Sequence, residues 1–399
     1  GLRNGVSGET TCDHEKLLTV GIRGYMEECQ RNIDNTVSTG KEDQEKIDYW
    51  KACIIQCQGL ITYAHRMAEE AECQAASCTD EKRKKELLTI AENCRVVPEN
   101  PPQTFWQALQ MVWFAHVYFQ IAVCTTACGF GRFDQYMWPY YKKDVIDEKN
   151  ITQDEALEML ECFYLKACEV YEVRDKWYAT SFAGYPMWEI LVVGGQTPDG
   201  KDATNELSYL CLEAANQLKT TQPVMAVRTW EGTPEELIRK GCKMIQEGQA
   251  NPGFFNDYAA MKMTLGKGCT IEEARDWTIV GCIQPGPGGA ILHRRQGQLH
   301  RPQGLGLVRP RFLGALILTG LVPLGADLQA HIAGVWLLVV LLVEKGQLQP
   351  DPLVPKDQIA LAEHQHPHQN DHQRSQNGRH PLEHVMKSSA APIAAVSAV

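Results

Sequence analysis

The sequence has little that would hold it in a bilayer or on a nucleic acid. The apolar run Ile332 to Val343 is 12 residues long, short of the ~18 to 20 that a spanning helix needs. Asp327 and Pro323 separate it from the run Leu313 to Leu321, which counts against a membrane hairpin. Basic side chains are outnumbered, 39 against 49 acidic, and no basic stripe interleaved with aromatics is present, so nucleic acid is not an expected partner. No signal peptide is recognisable, and the 15 cysteines are odd in number and irregularly spaced. Both features argue against a secreted disulfide framework and lead us to expect reduced thiols in a cytoplasmic protein. Gly129-Phe130-Gly131 lacks the third glycine of a dinucleotide loop, and no Walker lysine follows it. Cys53 and Cys57, like Cys73 and Cys78, lack a second pair at zinc-site spacing, so no metal site is expected.

Other absences are regional. All 15 cysteines and all 13 tyrosines precede residue 290, whereas nine of the 12 histidines follow it. Residues 1–289 carry 42 acidic and 29 basic side chains and residues 290–399 carry 7 and 10, so net charge passes from −13 to +3 across the seam. A leucine-rich stretch and a histidine- and glutamine-rich segment from His364 to His384 lie beyond it. The reading is one domain over 1–289 and an unrelated, poorly packed tail over 290–399, as a frameshift or assembly junction produces.

Before the seam, hydrophobic spacing supplies the elements. Thr10 to Lys16 reads as the start of a helix that stays amphipathic to about Ile33, with Asp13 as a candidate N-terminal cap. Ile47, Trp50, Ile54, Cys57, Ile61, Ala64 and Ala68 recur at three- and four-residue spacing, the stripe of a helix buried on one side. The charged run Glu81 to Glu86 reads as a solvated helix face. Pro101-Pro102 opens an apolar helix through about Ala122, in which His116 reads as a hydrogen-bonded core histidine. Asp134 is read as the cap of a helix running into Trp138-Pro139-Tyr140-Tyr141, and as a pocket residue second. Ile151 to Val170 and Thr204 to Leu218 read as amphipathic helices, each opened by a threonine. Ile190 to Val193 and Val224 to Arg228 are short apolar runs of the kind found in strands buried on both faces, and Thr233-Pro234-Glu235-Glu236 starts a further helix. Strands alternating with long helices make the fold class α/β.

The stretch with most chemistry in it is Trp277 to Pro285, W-T-I-V-G-C-I-Q-P. The run Ile279-Val280 stops at Gly281, which has no Cβ and allows a tight turn; Cys282 then stands at the turn, with Gln284 and Pro285 at its exit. A lone Gly-Cys pair is more often a buried structural cysteine at a strand end, but this spacing also suits a displayed, reactive thiol. Just upstream, Thr270 and Glu273 have the spacing of a capping box.

Five segments give this loop a context: Thr104 to His116 (T-F-W-Q-A-L-Q-M-V-W-F-A-H), Gly129 to Tyr141 (G-F-G-R-F-D-Q-Y-M-W-P-Y-Y), Trp188 to Gly195 (W-E-I-L-V-V-G-G), Gln222 to Arg228 (Q-P-V-M-A-V-R) and the stretch from Phe254-Phe255-Asn256-Asp257 to Gly281-Cys282. In that order, over roughly Gly8 to Gly289, they resemble the glycyl radical enzymes, in the pyruvate formate-lyase-like branch of diol dehydratases and choline lyases. The resemblance implies a ten-stranded α/β barrel built of two half-barrels, with Cys282 on a finger loop. It implies a thiyl radical at Cys282, formed by hydrogen transfer to a stored glycyl radical that a radical S-adenosylmethionine activating enzyme installs, and C–O, C–N or C–C cleavage of a small polar substrate. It places Asp13 at the acidic position of a glycine-histidine-threonine-x-proline-aspartate segment that reaches substrate, although Glu9 and Cys12 replace its histidine and proline. Trp188 is placed near substrate in the same way, where a tryptophan before a strand is otherwise core.

Two departures narrow the expectation. Eliminating members carry a glutamate two residues after the cysteine; here Gln284 stands there, and an amide does not take a proton at neutral pH. Gly281 occupies the place of the first of two adjacent cysteines used by pyruvate formate-lyase proper, which disfavours a formate acetyltransferase-type reaction. No arginine-valine-x-glycine-tyrosine segment, the family's radical store, occurs in the 399 residues. The chain therefore reads as a central fragment, inactive by itself, of an enzyme that is a homodimer at full length. The alternatives are a non-catalytic fragment, truncated or binding-only, and the less favoured formate acetyltransferase-type acyltransferase.

Overall fold

In the computed structural model, residues 9–123, 127–170, 188–281 and 283–287 are described, with single positions at 176 and 180 and two short pieces at 291–292 and 299–300. Cys282 and nearly all of the tail after the seam lie outside the described residues. Contacts divide the chain into two units, 2–310 with 393–399 and 311–392 with residue 1, and every described residue lies in the first.

Parallel pairing in chain order organises that unit. β1 (Glu9–Thr11) pairs with β2 (Ala127–Gly129), and β3 (Ile190–Gly194) pairs with β4 (Val224–Thr229), which pairs with β5 (Gly253–Asn256). The two sheets are joined through Gly131, which bridges Leu191 in parallel, with Phe130 N donating to Ile190 O at 2.8 Å and Val192 N to Gly131 O at 2.9 Å. Five strands thus run side by side in sequence order, and the long helices expected of parallel crossovers lie between them. α1 (His14–Asn35), α2 (Lys41–Ser77), α3 (Glu81–Val96) and α4 (Phe105–Val123) connect β1 to β2. Next come α5 (Phe133–Tyr136), α6 (Trp138–Tyr141), a π-helical turn (Lys142–Asp147) and α7 (Gln153–Cys168); α8 (Glu206–Leu218) follows β3 and α9 (Glu235–Gln246) follows β4.

After β5 the pattern changes. Two short helices, α10 (Asp257–Leu265) and α11 (Ile271–Arg275), lead into an antiparallel hairpin of β6 (Trp277–Val280) and β7 (Gln284–Pro287). β8 (Ile291–Leu292) and β9 (Leu299–His300) form a second small antiparallel pair.

Strand side chains alternate between two cores, as the two-residue period of a pleated strand requires. Leu191, Val193, Met225 and Val227 join the large core beneath the helices, while Ile190, Val192 and Ala226 face Trp277 and Ile279 of β6 together with Met261 and Ala274. Both faces of β3 are therefore dry, and Ile190 to Val193 are all at most 1% exposed. Each such aliphatic side chain contributes about 1.5–3 kcal/mol on burial. Among the described residues no helix is long and apolar enough to cross a membrane.

Several local expectations shift. α4 begins at Phe105, after the Pro101-Pro102 pair, because Thr104 is the residue whose hydroxyl accepts from the helix, from Gln107 N at 3.2 Å. α8 is capped by Asn205, through Ser208 N, and not by Thr204. Asp134 caps nothing: it is fully buried in α5, and its Oδ2 accepts from Gly194 N at 2.8 Å and Ser208 Oγ at 2.5 Å, tying the end of β3 to the start of α8. The Thr270–Glu273 capping box is formed, and Asp13 does cap α1, accepting from Lys16 N at 3.2 Å.

Candidate active site

Several polar side chains, all buried except the half-buried Asp13, gather where the parallel strands end. Asp13 and His14 follow β1, Arg132 and Asp134 follow the extension of β2, Gln196 lies just past β3, Arg228 is the penultimate residue of β4, and Asp257 follows β5. Strand carboxyl ends are where open α/β sheets hold ligands, because the chain turns there and loops can present side chains without breaking the ladder. The hairpin β6–β7 is rooted at the same end.

Its root is held by two guanidinium groups. Arg228, fully buried, donates from Nε to Asp257 Oδ1 at 2.7 Å and from Nη2 to Asp257 Oδ2 at 2.9 Å, and also reaches the backbone carbonyls of Trp277 (2.9 Å) and Arg275 (2.6 Å). Asp257 additionally accepts from Trp277 Nε1 at 3.1 Å and Gln196 Nε2 at 3.2 Å. The guanidinium carbon lies 4.6 Å from the centre of the Trp277 ring, a cation–π distance. Burial, with the charge of Arg132 nearby, lowers the Arg228 pKa to about 10, so it remains charged at neutral pH. Arg132 donates to Asp276 Oδ1 at 2.7 Å and to Gly194 O at 3.0 Å.

Further along, Thr11 Oγ1 donates to Ile279 O at 3.1 Å, tying β6 to β1. Gly281 closes the turn with φ +73°, a conformation that L side chains rarely adopt. Ile283 at the tip is 68% exposed. Gln284 opens β7 opposite Val280, with its side chain exposed.

Two histidines lie deeper. His14 is buried, packs its ring at a tilt against Tyr136 with ring centres 4.8 Å apart, and leaves Nδ1 without a partner. Burial first, and then the charge of His116, hold its pKa down at about 3, so it is neutral. His116 has the opposite fate: burial opposes its charge, but the Glu189 carboxylate, 2.6 Å from its Nε2, outweighs burial and brings the pKa up to about 10. That is the hydrogen-bonded core histidine expected of the α4 sequence.

The residues singled out in the sequence are thus distributed unevenly. Asp13 and Gln284 belong to the carboxyl-end loops and the hairpin. Trp188 precedes β3 and so lies at the opposite, amino-terminal end of the sheet, beside the His116–Glu189 pair. Cys282 is outside the described residues. Arg132, Arg228, Asp257 and Gln196 were not anticipated as site residues, although the first three fall inside segments that carry the family resemblance. The available signal was charge: Arg228 ends an otherwise apolar strand, and such a charge is buried only with a partner.

Comparison with known proteins decides the family. The family model described as Pyruvate formate lyase-like matches residues 3–300, and a solved glycyl radical enzyme from Archaeoglobus fulgidus superposes with TM-score 0.67 at 34% identity, covering 71% of this chain and 36% of that one. The chain belongs to the pyruvate formate lyase-like glycyl radical enzymes. Similar members of this family include the isethionate sulfite-lyase of Oleidesulfovibrio alaskensis, 37% identical over 275 residues that make up 68% of this chain and 33% of the relative. The (2S)-3-sulfopropanediol dehydratase of Klebsiella oxytoca is 34% identical, with 70% of this chain and 34% of the relative covered. The glycerol-bound B12-independent glycerol dehydratase of Clostridium butyricum superposes with TM-score 0.69 at 37% identity, covering 72% of this chain and 36% of that one. The chain spans about a third of the length of the curated relatives it matches. The match ends at residue 300, just past the compositional seam.

Proposed function

We propose that this chain is the thiyl-loop half of a glycyl radical lyase or dehydratase that cleaves a C–O, C–N or C–C bond of a small polar substrate. The observation that carries the reading is the hairpin: in a member of this family, two antiparallel strands rooted at the carboxyl ends of a parallel sheet flank Gly281, which Cys282 follows in sequence. Cys282 is the proposed hydrogen-atom carrier. A stored glycyl radical, installed by a radical S-adenosylmethionine activating enzyme, supplies the unpaired electron. The Cys282 thiol gives up its hydrogen atom, and the sulfur then takes one from a substrate carbon.

Asp13 is the proposed substrate carboxylate contact, Gln284 a hydrogen-bonding neighbour that does not accept a proton, and Trp188 a more distant part of the surround. Half of the ten-stranded barrel is supported by the five parallel strands in sequence order. Its completion is supported by β5, whose outer edge is unpaired among the described residues and whose Phe254 is 37% exposed; an open strand edge is a template for further pairing. We place the domain boundary at the seam, 1–289 against 290–399, and a homodimer at full length.

A polypeptide of these 399 residues alone is proposed to be silent, because a thiyl radical needs a radical store and the sequence contains none. The test is anaerobic incubation with an activating enzyme, with and without a second polypeptide supplying the arginine-valine-x-glycine-tyrosine segment. Electron paramagnetic resonance and product analysis on isethionate, 3-sulfopropanediol, glycerol and trans-4-hydroxyproline read the result. A glycine-centred doublet and turnover are expected only in the supplemented mixture. Cys282→Ala abolishes turnover and spares the doublet, while Gln284→Glu raises elimination only if substrate binds in the family's pose near Asp13, within hydrogen-bond reach of the new carboxylate. A doublet from the 399 residues alone, or turnover that survives Cys282→Ala, sinks the reading.

A further inference from the structure

We infer that Arg228 and Arg132 are positioning residues for the Cys282 hairpin: together they hold three consecutive residues, Arg275 and Trp277 by their backbone carbonyls and Asp276 by its carboxylate, from which the hairpin projects. The inference rests on the proposed role of Cys282 for its catalytic meaning, but its test does not.

Three observations carry it. The first is convergence. Two of the four hydrogen bonds of Arg228 go to the carbonyls of 275 and 277, and Arg132 takes the Asp276 carboxylate between them. The anchors come from the ends of different strands, β4 for Arg228 and the extension of β2 for Arg132, with Asp257 bracing Arg228 and Gln196 in turn donating to Asp257. The root of the hairpin is therefore held from two directions, which fixes its tilt as well as its place.

The second is cost. Both partners of the Arg228–Asp257 pair are 0% exposed, and a buried ion pair of this kind is typically no more stabilising than apolar side chains of the same volume. Its surroundings are shaped to admit it. Gly195 adopts φ +82°, and a Cβ there would stand 2.4 Å from Arg228 Nε. Stability alone does not call for such an arrangement, whereas a rigid fork that meets a carboxylate and two carbonyls at once is what guanidinium geometry offers.

The third is leverage. Beyond Trp277 the hairpin is tied to the rest of the unit by the Thr11–Ile279 bond, by Lys267 Nζ donating to Pro285 O at 3.4 Å and by packing of Ile279. The strand β6 runs from Trp277 to Val280, roughly 10 Å of extended chain, so a tilt of about 10° at the root moves its far end by roughly 2 Å. A misplacement of about 1 Å already costs on the order of a hundredfold in rate for a transfer that depends on close approach.

The experiment is hydrogen–deuterium exchange with mass spectrometry on the full 399-residue chain and two variants, with thermal melting alongside. Arg228→Lys keeps a buried positive charge for Asp257 but cannot also span both carbonyls. Asp276→Ala removes a side chain that is 43% exposed and leaves the buried Arg132 its bond to Gly194 O, so it is the milder variant and is read where the first does not fold. Expected is exchange at least about tenfold faster for amides of 278–287 in both variants, with 190–194 and 224–229 protected as before. Unchanged hairpin protection in Asp276→Ala overturns the inference. So does a loss of protection shared equally by β3 and β4, since that describes a merely structural role.

Discussion

Acid should attack this fold through His14 before it reaches most of the structure. The ring is the first residue of α1, only 4% exposed, bonded on one side to the backbone of Gly129 and without an acceptor at Nδ1. A second proton must sit on that orphaned nitrogen, in a dry site close to the charged His116. The folded-state pKa is accordingly about 3, below the 6.5 of a free imidazole. Between those values the unfolded chain binds a proton that the native chain refuses, so stability is full above pH 6.5 and falls as pH drops toward 3. By about pH 4.5 the loss is roughly 2–3 kcal/mol, at 1.36 kcal/mol per unit. His14→Phe keeps a ring to pack against Tyr136 and removes the titration. Urea unfolding followed by tryptophan fluorescence, at about pH 7 and about pH 4.5, should show the wild type losing roughly 2–3 kcal/mol more than the variant across that interval. Parallel losses in the two proteins would refute the argument, because they would assign the acid limb to other groups.

The His116–Glu189 pair should behave as a buried charge pair does: His116→Phe alone strands a carboxylate and costs about 3–5 kcal/mol, while the double variant with Glu189→Leu recovers most of it, as chemical denaturation would show. Because the folded pKa of His116 is raised to about 10, its contribution is complete below pH 6.5 and disappears as pH rises through 10, an alkaline decline that the double variant should lack in the same titration. Gly195→Ala places a methyl group against Arg228 at a positive φ and should cost at least about 1–3 kcal/mol, seen as a lowered melting temperature together with faster exchange at 278–287. Asp144→Ala removes the acceptor, buried in the π-helical turn, that holds Phe105 N at 2.7 Å; the start of α4 should lose about 1–2 kcal/mol, as a cap does, and an unchanged denaturation midpoint would count against that reading.

What the amino-acid order displayed openly was whatever repeats at short range. The stripe through Cys57, Ile61, Ala64 and Ala68 is buried in α2, and the apolar runs at 190 and 224 are interior strands, because each pattern reports the period of its own element. The Thr270–Glu273 box was legible because both partners sit within one helical turn. Cap assignments erred where a nearer competitor existed: Asn205 outcompetes Thr204, and Thr104 places the start of α4 after the prolines. Asp134 was misjudged for a different reason. Its partners Gly194 and Ser208 lie 60 and 74 residues away, so nothing in the local sequence distinguishes a carboxylate that ties β3 to α8 from one that begins a helix.

The hairpin marks the limit of local reading. Gly281 and the residues around it announce a turn, and the family resemblance gives that turn a chemistry, yet the turn by itself has no fixed place. Its place is set by Arg228, 49 residues from the Trp277 carbonyl it holds, and by Arg132, 144 residues from the Asp276 carboxylate it grips. Neither spacing has a period, and either arginine alone reads as a charge ending a strand or opening a helix. Burial removes that option, since a guanidinium withdrawn from water must spend its donors on acceptors close by. Once the parallel strands bring their carboxyl ends together, the acceptors within reach are Asp257, Asp276, the Gly194 carbonyl and the backbone of the segment entering β6. The same need that satisfies the buried charges therefore fixes the root of the loop, and the chemistry proposed for Cys282 depends on residues whose own roles are electrostatic and remote in sequence.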